Sequence, residues 1–407
     1  MSIKPIVMIS SWPPRLCGIA TFAEEAVEFL QRAQPSRPIY IISHLDGQGP
    51  NVHPIIDMED PQWYLPVVET VRQINPEVVH IQHEYGLYNY VNERDESDFN
   101  HGFLTMLEML SDYPTIVEPH SIHGRMKDAE EEFVQQLARS CSIVLFKCAY
   151  QKWRLEWTFR DKGWEVPHNI IVVPHGARPD RRYRIDQVDD LKRDLGLSQF
   201  VGEHIVGLVG WIQNNKAWDI LTEMWEDIYY QIREQTGQQW FLFAAGEMRD
   251  PHHKRDYDKY IGEVKLLEQA GMAHYFRFIP RGELYYKVMA ICDFIVLPSL
   301  DETQSGTLAR IIALNKPYVT TAPLEGLTSQ TVESEGGLLF TTKEGLRRRV
   351  LQLAGSEGLR IRLGNNLKEY LESTVSWEVV TNQYLRAYRL AVSRRRAHRA
   401  IYVRPEF

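Results

Sequence analysis

The chain is poor in cysteine, in uninterrupted apolar sequence and in positive charge. Its four cysteines, Cys17, Cys141, Cys148 and Cys292, include no C-x-x-C pair. That argues against a disulfide scaffold and points to free thiols in a reducing compartment. No apolar run reaches the roughly 18–20 residues that span a bilayer. The opening residues, MSIKPIVMISSW, lack the layout of a signal peptide, and IVMIS reads as a first strand. A cytoplasmic location is the expectation. The net charge of −8 argues against general nucleic-acid binding. No histidine or cysteine cluster has ligand spacing, so neither a metal nor a cofactor is expected. The basic end of the chain, with Arg394, Arg395, Arg396 and Arg399, reads as a solvated helix end. Contact with an anionic membrane surface is the other reading.

What is present is a globular composition, with 44% hydrophobic and 25% charged residues over 407 positions. That length supports two or three domains. Short apolar strands recur at Ile6–Ser10, Ile39–Ser43, Val78–Gln82, Thr115–Glu118, Ile143–Lys147 and Ile170–Val173. Amphipathic stretches such as Thr21–Arg32, Leu65–Ile74, Phe103–Leu110 and Asp128–Ala138 lie between them. Strands alternating with helices predict a parallel, doubly wound α/β sheet. A charged run follows, and then the pattern restarts. Strands are predicted at Ile205–Gly210, Trp240–Ala244, Phe276–Ile279, Phe294–Leu297 and Tyr318–Thr321, with helices at Trp218–Thr236, Tyr257–Ala270 and Leu284–Cys292. The expected division is a first domain at 1–180, a linker at 181–202, a second domain at 203–375, a final helix at 376–393 and a basic tail at 394–407. On that last helix Trp377, Val380, Tyr384 and Tyr388 share one face.

The stretch LPSLDETQSGTLARIIALNKPYVTT, Leu297–Thr321, concentrates the chemistry. It reads as strand, polar loop, helix, strand. Ser305, Gly306 and Thr307 fall at the helix start, where free backbone N–H groups and the positive end of the dipole favour an anion. Asp301 and Glu302 stand just before it. A carboxylate beside an anion-binding helix start suits a phosphorylated ligand with a hydroxylated head. An ordinary Ser/Thr cap fits the same residues.

Taken in order, several segments resemble the retaining glycosyltransferases of family 4, which have the GT-B fold. PPRLCGIATF resembles the family's first glycine loop, VVHIQHEYG its mid-domain signature, and TIVEPHSIHG the segment carrying its sugar-site histidine. VVPHGA resembles the domain-closing strand and LVGWIQNNKAWDIL the G-R-L-x-x-x-K-G segment. LPSLDETQSGTLARIIALNKP resembles the E-x7-E region, and SWEVVTNQYLRAY the last helix. The resemblance covers nearly the whole chain. It implies two Rossmann-like doubly wound domains facing a cleft, with the C-terminal helix crossing back to the first domain.

It also implies roles. His120 would contact the donor sugar. Lys216 would neutralise the donor phosphate as the glycosidic bond breaks. Glu302 would hold sugar hydroxyls. Gly18 would let backbone N–H groups approach the phosphate. With Ser305, Gly306, Thr307 and Arg310 these make the donor site. Gln82, His83 and Glu84, at a strand end, would form an acceptor wall. Each residue also has a plain structural reading: a core histidine, a surface lysine, a turn glycine, a strand end.

The chain departs from the family at two positions. Trp211 stands where an arginine is usual, and Arg310 stands where the second glutamate of E-x7-E is usual. Arginine cannot accept hydrogen bonds from ribose hydroxyls, though it suits a phosphate. The expected activity is retaining transfer of a sugar from an activated, nucleoside-diphosphate donor to a hydroxyl acceptor, a saccharide or a lipid-linked one. A phosphorylase using sugar 1-phosphate and a lapsed sugar- or nucleotide-binding protein are the alternatives.

Overall fold

The computed structural model describes residues 3–89, 100–122, 126–181, 183 and 187–402. Residues 123 and 124 of TIVEPHSIHG, positions 182 and 184–186 of the expected linker and 403–407 of the expected tail lie outside the described residues. Side chains beyond 395 are likewise not described.

The chain divides into two compact units. The first comprises the chain up to His175 together with the C-terminal helix from Trp377; the second is Gly176–Ser376.

The first unit holds β1 (Ile6–Ile9), β2 (Ile39–His44), β3 (Val52–Ile56), β4 (Val78–His83), β5 (Thr115–Pro119), β6 (Ile143–Phe146) and β7 (Ile170–Val172). They form one sheet in the order β3-β2-β1-β4-β5-β6-β7. Every pairing is parallel, with Ile6 in register with Ile39 on one side and Val78 on the other. Parallel strands are covered on both faces, and IVMI of β1, IVLF of β6 and IIV of β7 are apolar throughout. One face packs Val7, Ile9, Val79, Ile81 and Val117 against Trp63, Phe103 and Phe133. The other packs Ile6, Met8 and Ile116 against the first helix, Gly18–Ala33, and the C-terminal helix, Trp377–Tyr402.

The second unit repeats the plan with β8 (His204–Ile212), β9 (Trp240–Met248), β10 (Ala273–Arg277), β11 (Phe294–Leu297), β12 (Tyr318–Thr321) and β13 (Gly337–Phe340). Their order is β10-β9-β8-β11-β12-β13, again all parallel. In both sheets the order reverses beside the first strand of the unit, where α/β sheets bind ligands.

The C-terminal helix returns to the first unit. Trp377, Val380, Tyr384 and Tyr388 are buried there, and Trp377 Nε1 donates to Glu25 Oε2 at 2.8 Å. It runs past the expected end at 393 to Tyr402, because Arg and Ala favour helix and no Gly or Pro intervenes before Pro405. Arg394 donates to the carbonyl oxygen of His168 at 2.7 Å and Arg395 to Asp112 Oδ1 at 3.1 Å, so the first basic residues expected as tail hold the helix to loops of the first unit.

Other differences have local causes. The segment expected as a linker with a helix has that helix at Val188–Asp194, but Leu191, Leu197 and Phe200 enter the second unit's core. The helix expected at Trp218–Thr236 is broken into Asp219–Thr222 and Trp225–Thr236. β10 begins at Ala273 rather than Phe276, and Ile279 is exposed. β3 and β13, which the periodicity did not predict, are edge strands, where an apolar run need only be partial.

Candidate functional site

In the second unit the site is built at the C-terminal ends of β8 and β11. Gly210, near the end of β8, has φ +142°, and a Cβ there would meet Tyr285 Oη at 2.8 Å. Only glycine adopts this backbone without strain and leaves the tyrosine room. Six residues on, Lys216 Nζ donates to Glu302 Oε1 at 2.6 Å. The other carboxylate oxygen accepts from Ser299 Oγ at 2.8 Å. Asn215 Nδ2 donates to the carbonyl oxygen of Asp301 at 3.0 Å, and Leu300 N–H to that of Asn215 at 2.9 Å, which stitches the two loops together. A narrow cavity lies here, lined by Gly210, Trp211, Lys216, Ser299 and Thr307. A cation, two hydroxyls and a glycine that lets backbone come close are the means of holding an oxyanion.

The helix that follows, Gly306–Ala313, starts at Ser305, whose Oγ accepts from Leu308 N–H at 3.2 Å. Ser305 therefore caps its own helix. Thr307 Oγ1 is 2.8 Å from Tyr285 Oη and lines the cavity. Arg310 packs on aromatic rings. Its guanidinium lies 4.9 Å over the Tyr285 ring and 5.6 Å over Tyr286, and Nη1 donates to the carbonyl oxygen of Gly306 at 2.7 Å. Neither Arg310 nor Glu302 lines the cavity itself; Glu302 reaches it through Lys216, and Arg310 lies over the two tyrosine rings.

In the first unit a buried polar network underlies His120. Its Nε2 is 2.7 Å from Gln82 Oε1. Gln82 Nε2 donates to Glu118 Oε2 at 2.7 Å. The Glu118 carboxylate also receives the ammonium of Lys147, Tyr384 Oη at 2.7 Å and His80 Nε2 at 3.1 Å. His80 Nδ1 reaches Tyr388 Oη at 2.8 Å. Burial alone would push the Glu118 carboxyl up. Lys147, followed by His80 and His120, outweighs it and holds the carboxyl well below the usual range. Burial lowers His120 well below its ordinary value, with Lys147 adding to the effect, so the ring is neutral at pH 7. Phe22, one turn into the first helix, gathers the surroundings. Its ring meets His120 edge-on at 5.0 Å and His175 at 4.7 Å, with Lys147 Nζ 4.1 Å above it.

The expected acceptor wall is not formed as drawn. Side chains alternate across a strand, so Gln82 and His83 cannot share a face. Gln82 points into the Glu118 network and is fully buried. His83 points to the opposite core, stacked on Phe133 and Tyr88, with Nε2 2.9 Å from Asn100 Oδ1. Burial pushes His83 down to about 4, which Asn100 offsets only in part. Glu84, at the strand end, is the member left partly exposed, and it accepts from Ser121 Oγ.

Gly18 opens the first helix after Cys17, which makes no side-chain cap bond, and a Cβ on Gly18 would meet nothing within 4 Å. Sequence reading missed Ser299, Tyr285, Glu118 and Lys147. For the last two a signal existed: charges at the ends of apolar strands, TIVE and IVLFK, must be paired once buried.

Solved structures share this two-domain GT-B fold. HepE of Anabaena in complex with UDP aligns with TM-score 0.69 and 14% identity, covering 94% of this chain and 98% of that one. A sucrose-phosphate synthase of Thermosynechococcus elongatus aligns with TM-score 0.68 and 17% identity, over 96% and 99%. A glycosyltransferase of Rickettsia africae aligns with TM-score 0.70 and 12% identity, over 96% and 99%. Residues 203–356 match the family model described as Glycosyl transferases group 1. No curated protein matches the chain by sequence.

Proposed function

We propose that the protein is a retaining glycosyltransferase that moves a hexosyl group from a nucleoside-diphosphate sugar to a hydroxyl acceptor. One observation carries the reading. Lys216, paired with Glu302, lines a strand-end cavity with Gly210, Ser299 and Thr307, inside the segment that matches the glycosyl transferases group 1 model. Support comes from HepE, whose solved complexes contain UDP and UDP-glucose.

Lys216 would meet the departing phosphate, where negative charge grows as the glycosidic bond breaks. Glu302 would turn its carboxylate to the sugar hydroxyls. The uncapped start of the first helix, with open space before Gly18, would accept an anionic group, and His120 would contact the donor sugar. The leaving phosphate itself would help deprotonate the acceptor, so retention needs no protein nucleophile. Arg310 was the residue that favoured a phosphorylase, and its stacking on Tyr285 and Tyr286 argues for the transferase.

The test is a thermal-shift panel of nucleoside diphosphates, their sugar conjugates and sugar 1-phosphates. A ligand that binds the native state raises its Tm. Nucleoside diphosphates and one sugar conjugate should raise it. Proton NMR of a product formed from that donor should show the donor's anomeric configuration. A response to sugar 1-phosphate alone would replace this reading with the phosphorylase.

A further inference from the structure

We infer that Gln82 is a positioning residue that fixes His120 in the tautomer with its proton on Nε2. This rests on the assignment of His120 to the donor-sugar site. Gln82 has no solvent exposure. Its Nε2 donates to Glu118 at 2.7 Å, with His80 Nε2 at 3.3 Å and Met8 Sδ at 3.6 Å beside it, and its Oε1 lies 2.7 Å from His120 Nε2.

A side-chain amide is ambiguous about which end carries oxygen, and a neutral imidazole about which nitrogen carries hydrogen. Here the ambiguity is removed from one end. The Glu118 carboxylate is ionised and accepts only, because Lys147 is paired to it. It therefore takes the N–H2 end of Gln82. That turns the amide oxygen, an acceptor, to His120. An acceptor there requires a hydrogen on His120 Nε2.

The order propagates outward from the charged pair: Lys147, Glu118, Gln82, His120. Two further donors hold Glu118 in place. Tyr384 Oη comes from the C-terminal helix and His80 Nε2 from β4. The Phe22 ring, edge-on to His120, limits rotation of the imidazole.

The consequence is chemical. A neutral His120 with its proton on Nε2 has Nδ1 as its acceptor atom. It can receive a hydrogen bond from a sugar hydroxyl, and it has no acidic proton to give. Gln82 acts through His120 and touches no substrate, as outer-shell groups do when they set the tautomer of a functional histidine.

The experiment is nitrogen-15 NMR on the full-length protein with ring-labelled histidine. His120 resonances are identified by their loss in His120→Ala. The wild type should show one tautomer, protonated at Nε2. Gln82→Met should give a mixture or the other tautomer, and should lower kcat about tenfold or more with little change in donor KM. A wild-type His120 protonated at Nδ1 overturns the inference without any variant. So does an unchanged tautomer in Gln82→Met. If the tautomer behaves as expected while His120→Ala transfers sugar normally, positioning by Gln82 stands and the role given to His120 in transfer falls.

Discussion

Lys216 Nζ and Glu302 Oε1 are 86 positions apart in sequence and 2.6 Å apart in space. The pair joins the loop after β8 to the loop after β11, and each member limits the other. The carboxylate keeps the ammonium aimed at the cavity, and it also shares its charge until a phosphate arrives.

Lys216→Met should lower kcat at least tenfold, about 1.4 kcal/mol, while the Tm changes little. Adding Glu302→Gln should not multiply the loss, since residues in contact are not independent. Steady-state kinetics of the two single variants and the double variant check this. A fully multiplicative loss would mean that the pair does not act as a unit.

Arg310→Ala should leave nucleotide affinity within about twofold and lower stability by about 1 kcal/mol. The guanidinium stacks on Tyr285 and Tyr286 instead of lining the cavity. Calorimetric titration with a nucleoside diphosphate, alongside urea unfolding, separates the two effects. A loss of affinity of about tenfold or more would return Arg310 to the site.

Lys147→Met should be severe. Removing one partner of a buried ion pair leaves an uncompensated charge and costs about 3–5 kcal/mol. Glu118 would keep Gln82, His80 and Tyr384 as donors, which places the cost toward the lower end. Lys147→Met combined with Glu118→Gln should recover part of the loss. Urea unfolding of both variants measures it.

Stability should fall on acidification between about pH 6.5 and pH 4. His83 titrates at about 4 in the folded protein because burial disfavours its charged form. In the unfolded chain it titrates near 6.5. Between those values the unfolded state binds the extra proton, so the contribution is complete above the unfolded value and is lost as pH falls through the window. The whole effect is about 3 kcal/mol for this residue. His44 and His120, also shifted down by burial, act with the same sign. A His83→Leu variant should show a shallower slope of stability against pH across the window.

Local sequence determined the elements that bury an entire strand or one helix face. Ile6–Ile9, Ile143–Phe146 and Phe294–Leu297 are apolar runs with a single reading. Trp377, Val380, Tyr384 and Tyr388 recur at the spacing of one helix face and required a partner. Lys216 and Glu302 were candidates because the segments around them resemble those of a known family, and the fold brings the two into contact. What only the tertiary structure decided are the pairings. Gln82 and His83 are adjacent in sequence, yet strand alternation sends one to the Glu118 network and the other to the Phe133 core. Arg310 can hold a phosphate or pack on aromatic rings according to which surface lies beside its helix, and in the fold it lies over two tyrosines 24 and 25 positions earlier. Hydrophobic periodicity reports which side of an element is buried. It says nothing of which distant polar group waits there, because a hydrogen-bond partner is chosen by distance and direction in space and not by position along the chain.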